Sequence, residues 1–460
     1  MNLRILRIEL KRSVAPWAGA VILAIALAYL YLVSGPWWTG TAPWTAQWTS
    51  MALWTRYLLV FLWPLAVGLG ALQGLRDPRS KMSELLTSTP RPARHRAAAL
   101  AGATAFTLVS AFALLVLQGA AQVLAGDTSY TPVGWLPVSL VGALALAAGA
   151  VLGMGVGRAL PSALTPPALA VGAFLFVNLL RQSANDAVPT SFAAPNRLSL
   201  LSPAASEVRQ MLLTLSVPVH LGQTLWLLGM AATGLALLAA ATPRARLLAL
   251  TPLLAGGAVA LLLFPADPRD AYVVDRAAAA QVCDGPVCVT TARQARLDDV
   301  AGPGKEALRL LRGALGDRAP VTIHESTVPR ALDAASERSR DLVLIDPDDA
   351  VIGAAKGEQL TRALVGQGMA PVCHPRNGAE FGSPQEEAAR DIGAAWVLGG
   401  DLRPLDGSGF SANALTVARP VWERFIALPL PEQRQRISAM HAAAVSCSDP
   451  LAALTGGASR

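Results

Sequence analysis

Acidic side chains are nearly missing from the first part of this chain. Of 31 carboxylates in 460 residues, only six (Glu9, Asp77, Glu84, Asp127, Asp186 and Glu207) precede residue 265. Cysteine is missing from the same part, since Cys283, Cys288, Cys373 and Cys447 all come later. An ion- or proton-driven carrier needs carboxylates inside its apolar stretches to pass the coupling ion, so their scarcity speaks against that class. ATPase machinery is also missing. Gly302-Pro303-Gly304-Lys305 lacks the Gly-x-x-x-x-Gly-Lys-Ser/Thr spacing of a phosphate loop, and Glu306 stands where the hydroxyl belongs. The five histidines form no His-Glu-x-x-His motif, and His324-Glu325 has no second histidine a turn later, so no metal site is expected. Ser326 and Ser383 lack the surroundings of a nucleophile elbow. Asp346-Pro347-Asp348-Asp349 follows an expected strand but has no His, Ser or Cys at a readable spacing, and reads as loop acids before a helix start.

Long apolar runs are present instead. With 53% hydrophobic and 15% charged residues, the chain is too apolar for an ordinary soluble protein. Runs near 14–33, 57–75, 97–124, 135–156, 164–180, 221–241 and 247–264 suit a bilayer core of about 30 Å at 1.5 Å per residue. They predict an α-helical polytopic membrane domain of about six to seven spans over 1–264. Trp37, Trp38, Trp44, Trp48 and Trp54 read as a membrane–water interface belt. Gly142, Ala143, Ala145, Gly149 and Gly153 give the fourth run a small-residue face that lets helices approach closely. Residues 1–13 read as a basic amphipathic helix or the flank of the first span, and 202–215 as an amphipathic or re-entrant helix. Past Pro265-Ala266-Asp267-Pro268 the pattern becomes globular, predicting an α+β or α/β soluble domain over 265–460. Strands are expected near 288–291, 320–324 and 342–345, and helices near 304–315, 328–339, 356–367, 384–398, 418–427 and 431–446.

Charge orients these parts. Residues 1–264 carry seventeen Lys or Arg against six carboxylates, and the rest carry twenty-one against twenty-five. The basic surplus lies in loops beside the apolar runs, which argues against a nucleic-acid partner. Basic residues flanking spans stay cytoplasmic. A cytoplasmic N-terminus with seven spans puts thirteen Lys or Arg inside, leaves Arg56, Arg181, Arg197 and Arg209 outside, and makes the C-terminal domain exoplasmic. All four cysteines then face an oxidising compartment, where two disulfides are expected. Asp284-Gly285-Pro286 suits a local Cys283–Cys288 bridge, leaving Cys373 to pair with Cys447. A zinc site from Cys283, Cys288, Cys373 and His374, or free thiols, are the alternatives.

The longest basic run in this half is 76–96, between the second and third apolar runs. Its middle, Ser83-Glu84-Leu85-Leu86-Thr87-Ser88-Thr89, predicts a short helix, begun by Ser80 or Ser83 and stopped by Pro90 and Pro92. Here the sequence resembles the permease subunits of ABC transporters of the type-2 exporter class. In these, a Glu, a Leu-Leu pair, a Pro and then an Arg lie on the loop after the second span. Glu84, Leu85, Leu86 and Pro90 match, with Arg91 and Arg94 as candidates for the Arg. The resemblance implies that 83–90 docks on a separate ATPase subunit, which holds ATP and Mg and performs all catalysis. This chain would then be a non-enzymatic half-transporter in the cell membrane, needing a second copy or a paralogue and carrying no cofactor of its own. The rival expectation is a membrane-anchored exoplasmic enzyme or sensor.

Overall fold

The computed structural model describes residues 15–35, 37–38, 43–76, 93–126, 128, 130–182, 196–204, 211–327, 337–346, 349–373, 383–406 and 409–456. One compact unit runs to Val273 and a second begins at Val274. The expected helix over 1–13 lies outside the described residues.

The first unit is helical: α1 (Ala15–Leu32), α2 (Trp48–Tyr57), α3 (Leu59–Gly74), α4 (Ala93–Ala125), α5 (Trp135–Ala159), α6 (Thr165–Gln182), α7 (Val217–Ala239), α8 (Pro243–Leu248) and α9 (Thr251–Leu263). Among the described residues five helical stretches are long and apolar enough to cross a membrane: Ala15–Leu32, Ala97–Ala125, Trp135–Ala159, Val217–Ala239 and Pro243–Leu263. The pair α2 and α3, bent by 49°, makes a sixth, and Thr165–Arg181 is a shorter apolar helix. This is a multi-pass membrane unit, and each expected run falls on one of these helices.

Glycine meshes hold its centre. A Cβ on Gly70 or Gly74 of α3 would lie 2.1 Å from the Ala150 carbonyl oxygen or 2.2 Å from that of Met154. On α5 the reciprocal sites are Gly153, 2.1 Å from the Val67 oxygen, and Gly157, 2.5 Å from the Ala71 oxygen. The two backbones therefore touch directly, and dispersion across that contact replaces the hydrophobic drive that lipid does not supply. Gly155 and Gly234 bring α5 and α7 together in the same way.

The tryptophans depart from the expected belt. Trp37, Trp44, Trp48 and Trp54 are buried, and only Trp38 is substantially exposed, at 40%. Trp37 packs edge-on to Trp54 (6.3 Å), Trp38 edge-on to Trp44 (5.7 Å), and Trp48 stacks on Trp135 (5.2 Å). The indoles of Trp37 and Trp44, between α1 and α2, therefore belong to a buried cluster.

The expected helix over 202–215 is not seen where it can be judged. A 3-10 turn covers Ser199–Leu201, a strand covers Leu213–Leu215, and 205–210 lie outside the described residues. Thr242 caps α8 by accepting from the Ala245 amide (3.2 Å), and Arg246 donates to the Ala159 carbonyl at the end of α5 (3.0 Å).

The second unit is α+β. Strands β1 (Gln281–Asp284), β2 (Val287–Thr290), β3 (Thr322–Glu325) and β4 (Leu342–Ile345) form one sheet in that order. The first pair is antiparallel and the other two are parallel. Strand β1 has no counterpart in the sequence reading. It exists because Gly285, at φ +62°, lets the chain reverse within the two residues Gly285-Pro286. Helix α10 (Leu297–Leu315) buries Val300, Ala301, Gly304, Ala307, Leu308 and Leu311, with Gly304 against Val287 and Ile323 of the sheet. Gly302-Pro303-Gly304 lies inside this helix, and a Cβ on Gly304 would meet Val287 at 2.8 Å. The glycine of the phosphate-loop lookalike is thus a packing residue.

A helical half completes the core: α11 (Ala350–Ala354), α12 (Gly357–Met369), α13 (Pro384–Leu398), α14 (Gly409–Ile426), α15 (Leu430–Val445) and α16 (Pro450–Thr455). Ser383 caps α13, and Gly399 ends it at φ +64°. Of the helix expected over 328–339, 337–339 is not helical and 328–336 lie outside the described residues.

Candidate functional site

The expected docking residues Ser83, Glu84, Leu85, Leu86, Thr87, Ser88, Thr89, Pro90 and Arg91 lie outside the described residues. Helix α3 ends just before this segment, and α4, with Arg94 in its first turn, begins just after it.

What the membrane unit does bring together is a buried polar centre. Arg56, counted by its sequence as a loop charge beside a span, is wholly buried in the last turn of α2, just before the 49° bend into α3. Its Nε donates to the Pro203 carbonyl (3.2 Å), and its Nη2 to Gln223 Oε1 on α7 (2.6 Å). Gln223 Nε2 donates onward to the Leu200 carbonyl (2.9 Å), and Trp226 Nε1 donates to the Leu201 carbonyl (3.1 Å). Segment 199–204 has no regular ladder to satisfy its carbonyls away from water, so these three side chains do it. Among the described residues the Arg56 Nη1 and the Ser216 hydroxyl have no hydrogen-bond partner. No carboxylate pairs with Arg56 among the described residues. A guanidinium buried in this setting is costly and persists only where the surroundings fix it. The centre is a three-way pin between the α2–α3 bend, segment 199–204 and α7. The readable signal was an arginine flanked by apolar residues between Trp54 and Tyr57.

In the second unit the carboxyl ends of the parallel strands, the usual place for ligands on such sheets, carry two charged clusters. Glu325, at the end of β3, accepts from the Thr290 amide (2.6 Å) and hydroxyl (2.7 Å) and pairs with Arg293 (3.1 Å). The cleft beside them, lined by Arg293, Arg296, Glu325 and Gly353, has a volume of about 20 Å³, enough for one water. The second cluster is deeper. Asp349, after β4, caps α11 through the Val351 (2.8 Å) and Ile352 (3.3 Å) amides and pairs with the buried Arg390 (3.2 Å). Arg390 also pairs with Glu387 (3.2 Å). The neighbouring Asp391 accepts from the Leu405 amide (3.0 Å), while its Oδ2 has no hydrogen-bond partner among the described residues. Burial, reinforced by Glu387, pushes the Asp391 carboxyl up to about 8. Of the acidic run, Asp349 is therefore a cap and ion-pair partner, and Pro347 and Asp348 lie outside the described residues.

The sulfurs are joined as Cys283–Cys288 and Cys373–Cys447. The first bridge spans directly opposed residues of the hairpin. The second ties the chain after α12 to the end of α15. Both pairs are consumed, so the zinc and free-thiol alternatives lose their thiolates. His374 lies outside the described residues. Buried His441 holds the Met369 carbonyl through Nδ1 (3.2 Å), and burial lowers its pKa.

Comparison with known proteins gives no matching family model, no curated relative and no solved structure with a significant match.

Proposed function

We propose that this chain is the membrane-spanning subunit of an ATP-driven, ABC-type exporter. The observation that carries the reading is the basic loop 76–96, with Glu84, the Leu85-Leu86 pair and Pro90 between two apolar helices. Adjacent leucines point in different directions on a helix, so one of them has reason to pack on a partner. In this reading the loop is cytoplasmic, the N-terminus is cytoplasmic and the cysteine-bearing unit is exoplasmic. A partner ATPase holds ATP and Mg, and a second copy or paralogue completes the pathway. Closure of the ATPases would press on the loop, and the glycine contact between α3 and α5 would make those helices move as one body. The chain supplies mechanics and a path, and the partner supplies chemistry.

The direct test is affinity purification of the full chain from native membranes. A stoichiometric partner with Walker motifs is expected. Intact, folded chain recovered repeatedly without one would overturn the proposal.

A further inference from the structure

Along the membrane unit, α1, α3 and α6 enclose an open apolar groove of about 450 Å³, lined among others by Ile25, Tyr29, Phe61, Leu65, Val171 and Phe174. Its wall has no polar surface. An aromatic row runs across it, with Tyr29 5.0 Å from Phe61 and Phe61 6.3 Å from Phe174. Groove and row alone fit any hydrocarbon. The end of the groove is more selective. Arg181 lies seven residues beyond Phe174 on α6, two turns along the same face. Its guanidinium sits 4.8 Å over the ring of Tyr57, the residue before groove-lining Leu58. A cation–π contact of this kind uses the charge of the guanidinium and consumes none of its five N–H donors as conventional hydrogen bonds. Among the described residues no carboxylate or carbonyl accepts from them. An apolar groove ending in a guanidinium that no described carboxylate neutralises is complementary to an amphiphile with an anionic head.

We infer that this groove binds one acyl chain of an anionic phospholipid, with the lipid phosphate held at Arg181. Nothing in the inference requires an ATPase partner, so it stands or falls apart from the exporter proposal. The test uses purified full-length chain in neutral detergent. Pyrene-labelled phosphatidylglycerol and phosphatidylcholine with identical acyl chains are titrated against it, and energy transfer from the protein tryptophans reports binding. One basic side chain at a membrane surface is worth roughly fivefold in affinity for an anionic lipid. Phosphatidylglycerol should bind about fivefold tighter, and the preference should shrink with added salt. Arg181→Gln should equalise the two lipids, weakening phosphatidylglycerol by more than phosphatidylcholine. Val171→Phe should weaken both; Val171 is 59% exposed, so the larger ring enters the groove without entering the packed bundle. Ile25→Phe fills the groove from α1 and serves if Val171→Phe lowers the thermal midpoint. The inference is overturned if the wild type shows no headgroup preference, or if Arg181→Gln leaves the preference intact. It is also overturned if a well-folded groove-filling variant binds both lipids as before while its mass on size exclusion falls, which would mark the groove as a contact between copies of the chain.

Discussion

Asp391→Asn should stabilise the second unit above neutral pH and flatten its pH dependence. Asp391 is buried beside Glu387, with its carboxyl pushed up to about 8 from an ordinary 3.8. Below about pH 4 the proton is held in both the folded and the unfolded chain, and the contribution of this group is fully present. As pH rises from there the unfolded carboxyl ionises while the folded one does not, so stability is lost. The loss levels off once pH passes about 8 and the folded group ionises too. One proton's difference corresponds to a slope of about 1.4 kcal/mol per pH unit. Across the whole window this gives an upper bound of about 6 kcal/mol, large beside a domain's usual net stability. Asparagine keeps the acceptor for the Leu405 amide and removes the ionisation. Hydrogen exchange of peptides from α13 in the full chain, between pH 5 and 8.5 and corrected for intrinsic rates, measures the opening free energy. The wild type should lose protection with rising pH, and Asp391→Asn should not. Equal slopes in the two proteins, or a variant less protected than wild type at pH 8, would refute the reasoning.

The two disulfides should differ in worth. The Cys373–Cys447 bridge spans a sequence separation of 74 and Cys283–Cys288 one of 5. In the chain-entropy model these are worth about 4 and about 2 kcal/mol, so Cys447→Ser should lower the midpoint of thermal unfolding more than Cys283→Ser. Arg56→Met should lower thermal stability by leaving the Pro203 carbonyl and Gln223 Oε1 buried without a donor, at about 1–3 kcal/mol each. Arg56→Lys should recover only part of this, because an ammonium lacks the fork that serves both acceptors. Melting curves followed by fluorescence in detergent check both pairs, and an Arg56→Met midpoint equal to wild type would remove the pin.

The features legible in the sequence were those written in local pattern. Apolar runs placed the membrane helices, and the small residues of 142–153 announced the close contact that α5 makes with α3. Asp284-Gly285-Pro286 announced a tight reversal with a cysteine on either side. What stayed hidden depends on distant partners. Arg56 meets Pro203 and Gln223 across 147 and 167 residues, so it read as one more loop charge. The tryptophan-rich stretch was placed at a lipid boundary because its composition is the same whether it faces lipid or is buried. Helix α10 begins at Leu297, ahead of the expected 304, although Gly302 and Pro303 both disfavour a helix interior. Packing of the Gly304 backbone against Val287 and Ile323 overrides that local preference.

In the proposed exporter a partner ATPase acts on this chain through the loop 76–96, and the double variant Glu84→Lys with Leu86→Asp tests this most directly. Loss of a buried apolar anchor commonly costs about 1–2 kcal/mol or more at an interface, roughly tenfold or greater in affinity. The measurement is the ATP hydrolysis rate of the co-purified complex in vesicles, beside the thermal midpoint of the membrane subunit. The account predicts an unchanged midpoint, weakened ATPase retention and loss of stimulated hydrolysis. A well-expressed double variant with undiminished hydrolysis and a fully retained ATPase would contradict it.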